Sequence, residues 1–112
     1  EDNESVLAMV RSLLTECGYS VIGTADPLLA PQLAAENRID LLVTDVVMPG
    51  LNGPELYRRL LEAHPGLKVL FMSGYTDNVV AQHVEVKEGG NFIQKPFAAG
   101  ALARKVAAII RG

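Results

Sequence analysis

Asp45 closes the most apolar stretch of the chain, Ile39-Asp40-Leu41-Leu42-Val43-Thr44. Ser73 closes a second, Leu67-Lys68-Val69-Leu70-Phe71-Met72, and Lys95 follows a third, Asn91-Phe92-Ile93-Gln94. Glu1 and Asp2 stand just ahead of the first helical pattern. If the apolar stretches are parallel strands, three carboxylates, a hydroxyl and an ammonium share one edge of a sheet, the edge where open α/β sheets place their ligands. Carboxylate oxygens are the hard ligands that Mg²⁺ prefers. Three uncompensated acids repel one another, so a divalent cation would stabilise the cluster. A carboxylate is also a nucleophile able to take up a phosphoryl group as an acyl phosphate. Lys95 and the metal would then offset charge on the transferring oxygens, with Ser73 donating a hydrogen bond.

Taken singly, these residues say less. Glu1 and Asp2 read as a solvated terminus or as acids favourable at a helix N-terminus. Asp45 reads equally as a loop cap or as a reactive group. Lys95 alone is a solvated surface lysine, and Ser73 alone is uninformative. His64 and His83 lack a metal-binding spacing and read as surface or loop residues. Cys17 reads as a small core residue rather than a nucleophile.

The elements that must position the set follow from periodicity. Residues 4–17 predict a helix with Val6, Val10, Leu13 and Cys17 on one face, ended by Gly18. Residues 19–24 are a β-branched strand candidate. Asp26-Pro27 predicts an N-cap with proline in the first turn, and Pro31 moves the helix start towards Ala30. Residues 39–44 are continuously apolar at their centre, as befits a strand buried on both faces. Pro54 opens a helix with Leu56, Leu60 and Ala63 inward, stopped by His64-Pro65-Gly66. Residues 67–72 form a strand, 78–85 a weaker helix, 91–94 a short strand after Gly89-Gly90, and 98–111 a helix with Leu102, Val106 and Ile109 inward. Regular alternation of helix and strand predicts a parallel sheet covered on both faces. The count starts on a helix, whereas a doubly wound sheet starts on a central strand. The expectation is therefore one domain over residues 1–112 that lacks its N-terminal strand.

Composition agrees with one globular domain: 49% apolar, 21% charged, 112 residues. A net charge of −3 gives no basic excess to recruit nucleic acid or an anionic membrane. No apolar run approaches the ~20 residues that span a bilayer. One cysteine excludes an internal disulfide, and the acidic start is unlike a signal peptide; a cytoplasmic setting is the expectation.

Glu1-Asp2-Asn3, Thr44-Asp45-Val46-Val47-Met48-Pro49-Gly50-Leu51-Asn52-Gly53, Ser73-Gly74 and Lys95-Pro96-Phe97 resemble, in order and spacing, the motifs of response-regulator receiver domains. The resemblance runs from Glu1 to the end of the chain and implies an α/β, flavodoxin-like, doubly wound (βα)5 fold. It implies that Asp45 is the phosphoacceptor and Asp2 a direct Mg²⁺ ligand. Glu1 would act beside it through water, and the Val47 carbonyl would be a further ligand. Lys95 would pair with the phosphoryl group and Ser73 would bond it. Phe92 falls at the family's switch aromatic, and Lys95-Pro96 at a peptide bond often cis in the family. The implied function is to take a phosphoryl group from a phosphohistidine of a histidine kinase or histidine phosphotransfer domain. The face of the last two helices would then switch, with homodimerisation left open.

Some features depart from the pattern. Phe92 replaces the commoner tyrosine and carries no hydroxyl. Val47 and Tyr75 are bulky and poor bases beside the path of attacking water, so a long-lived phosphoryl group is expected. Val47 also stands where Asp-nucleophile phosphatases carry a second acid for proton transfer, which argues against turnover. A nucleotide- or flavin-binding module would want a glycine-rich phosphate loop in place of Glu1-Asp2-Asn3-Glu4. The stretches 67–77 and 94–97 resemble receivers of hybrid histidine kinases; a stand-alone receiver is the alternative. With Asp2 ahead of any visible strand, residues 1–112 alone are expected to hold Mg²⁺ poorly.

Overall fold

The computed structural model describes residues 4–46, 50–73, 92–95 and 97–111. Helix α1 spans Glu4–Glu16 and a 3₁₀ turn covers Pro27–Leu29. Helix α2 is Ala30–Glu36, strand β1 Leu41–Asp45, helix α3 Gly53–Ala63, strand β2 Lys68–Ser73, strand β3 Phe92–Gln94 and helix α4 Ala99–Arg111. The helix expected at 78–85 and the Lys95-Pro96 bond lie outside the described residues.

The three strands form one parallel sheet in the order β1-β2-β3. Successive strand residues point to opposite faces, and β2 shows it. Leu70 and Met72 pack with Val10 and Leu14 of α1 and Leu102 and Val106 of α4. Val69 and Phe71 pack on the other face with Val46, Tyr57 and Phe92. Beside them, Ala34 of α2 joins Leu51, Leu56, Leu60 and Leu67. Helices thus cover both faces, as expected of an α/β chain whose strands are apolar without alternation.

Local chemistry explains the helix starts. The Asp26 carboxylate accepts from the Leu28 N–H, capping the 3₁₀ turn. Pro31 falls within the first turn of α2, where its missing N–H has no helical partner to lose. The proline that looked disruptive is therefore a start signal.

Three expectations are corrected. Cys17 is exposed, and Leu14 takes the core position beside Val10. Helix α1 ends at Glu16 and the chain turns at Gly18 with φ +96°, so Cys17 leaves the buried face. Ala63 is exposed at the last residue of α3. Residues 19–24 pack Tyr19 and Val21 against the core but form no strand. A strand needs a ladder partner, and no described strand lies next to this segment.

Candidate functional site

Asp45, Ser73 and Lys95 all come to the carboxyl edge of the sheet. The register aligns Asp45 with Met72, and Ser73 with Gln94, which immediately precedes Lys95. Asp45 is 1% exposed, a burial unusual for a carboxylate. Its side chain forms an ion pair with the Lys95 ammonium. Neither carboxylate oxygen accepts an aligned hydrogen bond from a described group. Buried polar oxygens almost always have partners; Oδ1 has the Lys95 ammonium, and Oδ2 accepts from no described group.

The backbone around Asp45 is tightly fixed. The Val46 N–H donates to the Met72 carbonyl at 3.0 Å and the Gly53 N–H donates to the Val46 carbonyl at 2.8 Å. The Thr44 hydroxyl donates to the Asp45 carbonyl at 3.0 Å. Gly53 opens α3, whose N-cap Asn52 accepts from the Glu55 N–H at 2.9 Å. A Cβ on Gly53 would overlap the Asp45 carbonyl oxygen and lie 3.2 Å from Thr44 Cγ2. Gly53 therefore positions Asp45. Within the sequence it was visible only as the last residue of a motif; its signal was a glycine at a helix start, between an N-cap and a proline.

Phe92 is half-buried against Val46, Val69 and Phe71. Tyr57 makes an edge-to-face contact with Phe71, centroids 6.2 Å apart, and its hydroxyl donates to the Leu67 carbonyl at 2.9 Å. Phe92 thus lies at the rim of an aromatic layer beside Asp45's neighbour. His64 is half-buried at the end of α3, with Nε2 2.8 Å from the Ala34 carbonyl, tying α3 to α2. Glu1, Asp2, Val47, Gly74, Tyr75 and His83 lie outside the described residues, as does the side chain of Ser73.

Replacing Lys95 by methionine leaves the Asp45 charge buried without its cation. Because Lys95 is 25% exposed, the expected loss is below that of a fully buried pair, about 2 kcal/mol, read from urea unfolding. No loss would mean that the ion pair contributes nothing to the fold.

The sequence profile of the response regulator receiver domain matches residues 1–107. The chain belongs to that family. It is a receiver domain of two-component signalling, a family of signalling domains rather than of enzymes. The sensor kinase CckA of Brucella abortus is 36% identical over 109 residues, covering 95% of this receiver and 11% of that kinase. The response regulator MprA of Mycobacterium leprae is 32% identical over 112 residues, covering 99% and 49%. The response regulator receiver protein CpdR of Brucella abortus is 30% identical over 97 residues, covering 87% and 81%. The receiver thus spans half or less of some curated relatives and most of CpdR. Among solved structures, the receiver domain of NtrX from Brucella abortus superposes with a TM-score of 0.86 at 23% identity, over 99% and 94% of the two chains. A receiver domain protein from Clostridium thermocellum does so at 0.85 and 24%, over 99% and 90%. At such identities the likeness is one of fold. It agrees with the doubly wound α/β architecture. Among the described residues, no helix is long and apolar enough to cross a membrane.

Proposed function

We propose that Asp45 is the nucleophile of this receiver, taking a phosphoryl group from a phosphohistidine of a histidine kinase or phosphotransfer domain. The observation that carries the reading is the buried Asp45 carboxylate, balanced by Lys95 and free of aligned hydrogen bonds from described groups. One carboxylate oxygen attacks phosphorus as the donor's N–P bond breaks. The P–O bond forms, and the imidazole nitrogen released takes a proton from solvent. Lys95, already paired with Asp45, follows the charge onto the phosphoryl oxygens. Asp45 is held by its backbone contacts, so attack requires no rearrangement of the strand.

The donor set fits Mg²⁺, because carboxylate oxygens are its preferred ligands and Oδ2 of Asp45 accepts from no described group. Asp45 would hold it with Glu1, Asp2 and the Val47 carbonyl, which belong to this proposal and not to the described residues. Bound Mg²⁺ supplies neutralisation of charge on the phosphoryl oxygens. Ser73 then bonds the phosphoryl group, and Phe92 shifts within its half-buried setting to alter the neighbouring face. Such a local charge event with a packing readout is a recognised switch design. The net charge of −3 supports a protein partner over nucleic acid.

The likeness to a segment of CckA supports a place within a hybrid histidine kinase. The likeness to CpdR, most of whose length is matched, supports a stand-alone receiver as the second reading. A kinase domain encoded in frame with residues 1–112 decides for the first.

The test is incubation of the intact protein with phosphoramidate, with and without Mg²⁺, followed by intact mass and peptide mapping. One phosphoryl adduct on the peptide containing Asp45 is expected with Mg²⁺, and none when Mg²⁺ is chelated before the donor is added. A folded protein that gains no adduct overturns the reading, and an adduct that hydrolyses within seconds overturns the long lifetime expected from Val47 and Tyr75.

A further inference from the structure

Among the described residues, the two buried polar side chains are neighbours, Thr44 and Asp45, each 1% exposed. The part of β1 before them, Leu41-Leu42-Val43, is aliphatic. Valine has the shape of threonine without the cost of burying a hydroxyl, and it suits a strand at least as well. The Thr44 hydroxyl is therefore a departure from what the strand alone requires. Consecutive strand residues point to opposite faces, so Thr44 reaches Asp45 through the main chain: its hydroxyl donates to the Asp45 carbonyl at 3.0 Å. That carbonyl is also crowded by the start of α3. A Cβ on Gly53 would overlap its oxygen and lie 3.2 Å from Thr44 Cγ2. The Thr44 methyl thus borders α3 while its hydroxyl bonds Asp45.

The peptide plane between Asp45 and Val46 is held at both ends. The Val46 N–H donates to the Met72 carbonyl at 3.0 Å, and the Thr44 hydroxyl bonds the carbonyl at the other end. The plane before Asp45 lies within the ladder of β1 on β2. The Cα–Cβ direction of a residue follows from the two planes that flank it. A single bond would leave a pivot about which the second plane rocks. Rocking changes ψ of Asp45 and swings its carboxylate relative to Lys95. We infer that Thr44 is a positioning residue for phosphoryl transfer: its hydroxyl locks the peptide plane after Asp45 and so aims the carboxylate at the incoming phosphorus. It acts through the Asp45 backbone and not on the reacting atoms. The inference deepens the phosphoacceptor reading and rests on it.

The experiment compares the intact protein with Thr44→Val and Thr44→Ser. Valine keeps the shape and loses the hydroxyl; serine keeps the hydroxyl and loses the methyl. Adduct formation with phosphoramidate and Mg²⁺ is followed by intact mass, at a temperature where urea unfolding shows all three to be folded. Thr44→Val is expected to gain the adduct about 10-fold more slowly than wild type, and Thr44→Ser to stay within about twofold of it. A packing role predicts the reverse order, because serine removes the methyl beside Gly53. If Thr44→Val does not fold, Thr44→Ala against Thr44→Ser makes the same comparison, since both lack the methyl and serine alone has the hydroxyl. An adduct formed by Thr44→Val at the wild-type rate overturns this inference and leaves Asp45 as acceptor. So does Thr44→Ser as slow as Thr44→Val. No adduct on the wild type overturns the phosphoacceptor reading, and this inference with it.

Discussion

The Asp45→Asn variant is expected to take up no phosphoryl group from phosphoramidate or from a phosphohistidine donor, while remaining folded. Asparagine keeps the shape of aspartate and removes only the nucleophilic oxygen charge. The backbone bonds that hold this position, from Val46 to Met72 and from Gly53 to Val46, do not involve the side chain. Stability is expected to change by no more than about 2 kcal/mol, because relief of carboxylate desolvation offsets the lost pairing with Lys95. Loss of the adduct in a folded variant therefore reports on chemistry. An undiminished adduct on Asp45→Asn would show a different acceptor, and an unfolded variant would show that the carboxylate is structural.

The second large effect is expected at Gly53→Ala. A methyl group there would overlap the Asp45 carbonyl oxygen and stand 3.1 Å from its carbonyl carbon. The obstacle is backbone at the end of β1, which cannot turn aside as a long side chain can. Either β1 shifts at Asp45 or the first turn of α3 is displaced, breaking the 2.8 Å bond from Gly53 to Val46. Overpacking of this kind is expected to cost about 3 kcal/mol, read from urea unfolding. Phosphorylation should fall with it even under conditions where the variant is folded, because displaced Asp45 no longer meets Lys95. A variant with wild-type stability and wild-type phosphorylation would show that the α3 start yields freely.

Helix starts were legible because their signals act over a few residues. Asp26 caps the turn that follows it, Pro31 sits in the first turn of α2 and Pro54 in the first turn of α3. The inner faces of α3 and α4 were read from spacing, with Leu56, Leu60, Leu102 and Val106 buried as expected. Errors arose where a neighbour decides. Cys17 has helical spacing, but the Gly18 turn ends the helix before it. Residues 19–24 have strand composition, but composition cannot supply a ladder.

By itself the sequence determined the helices α1 to α4, the strands β1 to β3 and the polar group at or just after the end of each strand. These follow from periodicity and local capping, which need no distant partner. Only the tertiary structure decided that Asp45 and Lys95 touch, since they are far apart in the chain and meet through the registers of β1 on β2 and β2 on β3. It alone showed that Gly53 has no room for a side chain, because the crowding atom belongs to Asp45. Contacts between distant segments are set by packing and register, and no local pattern encodes them.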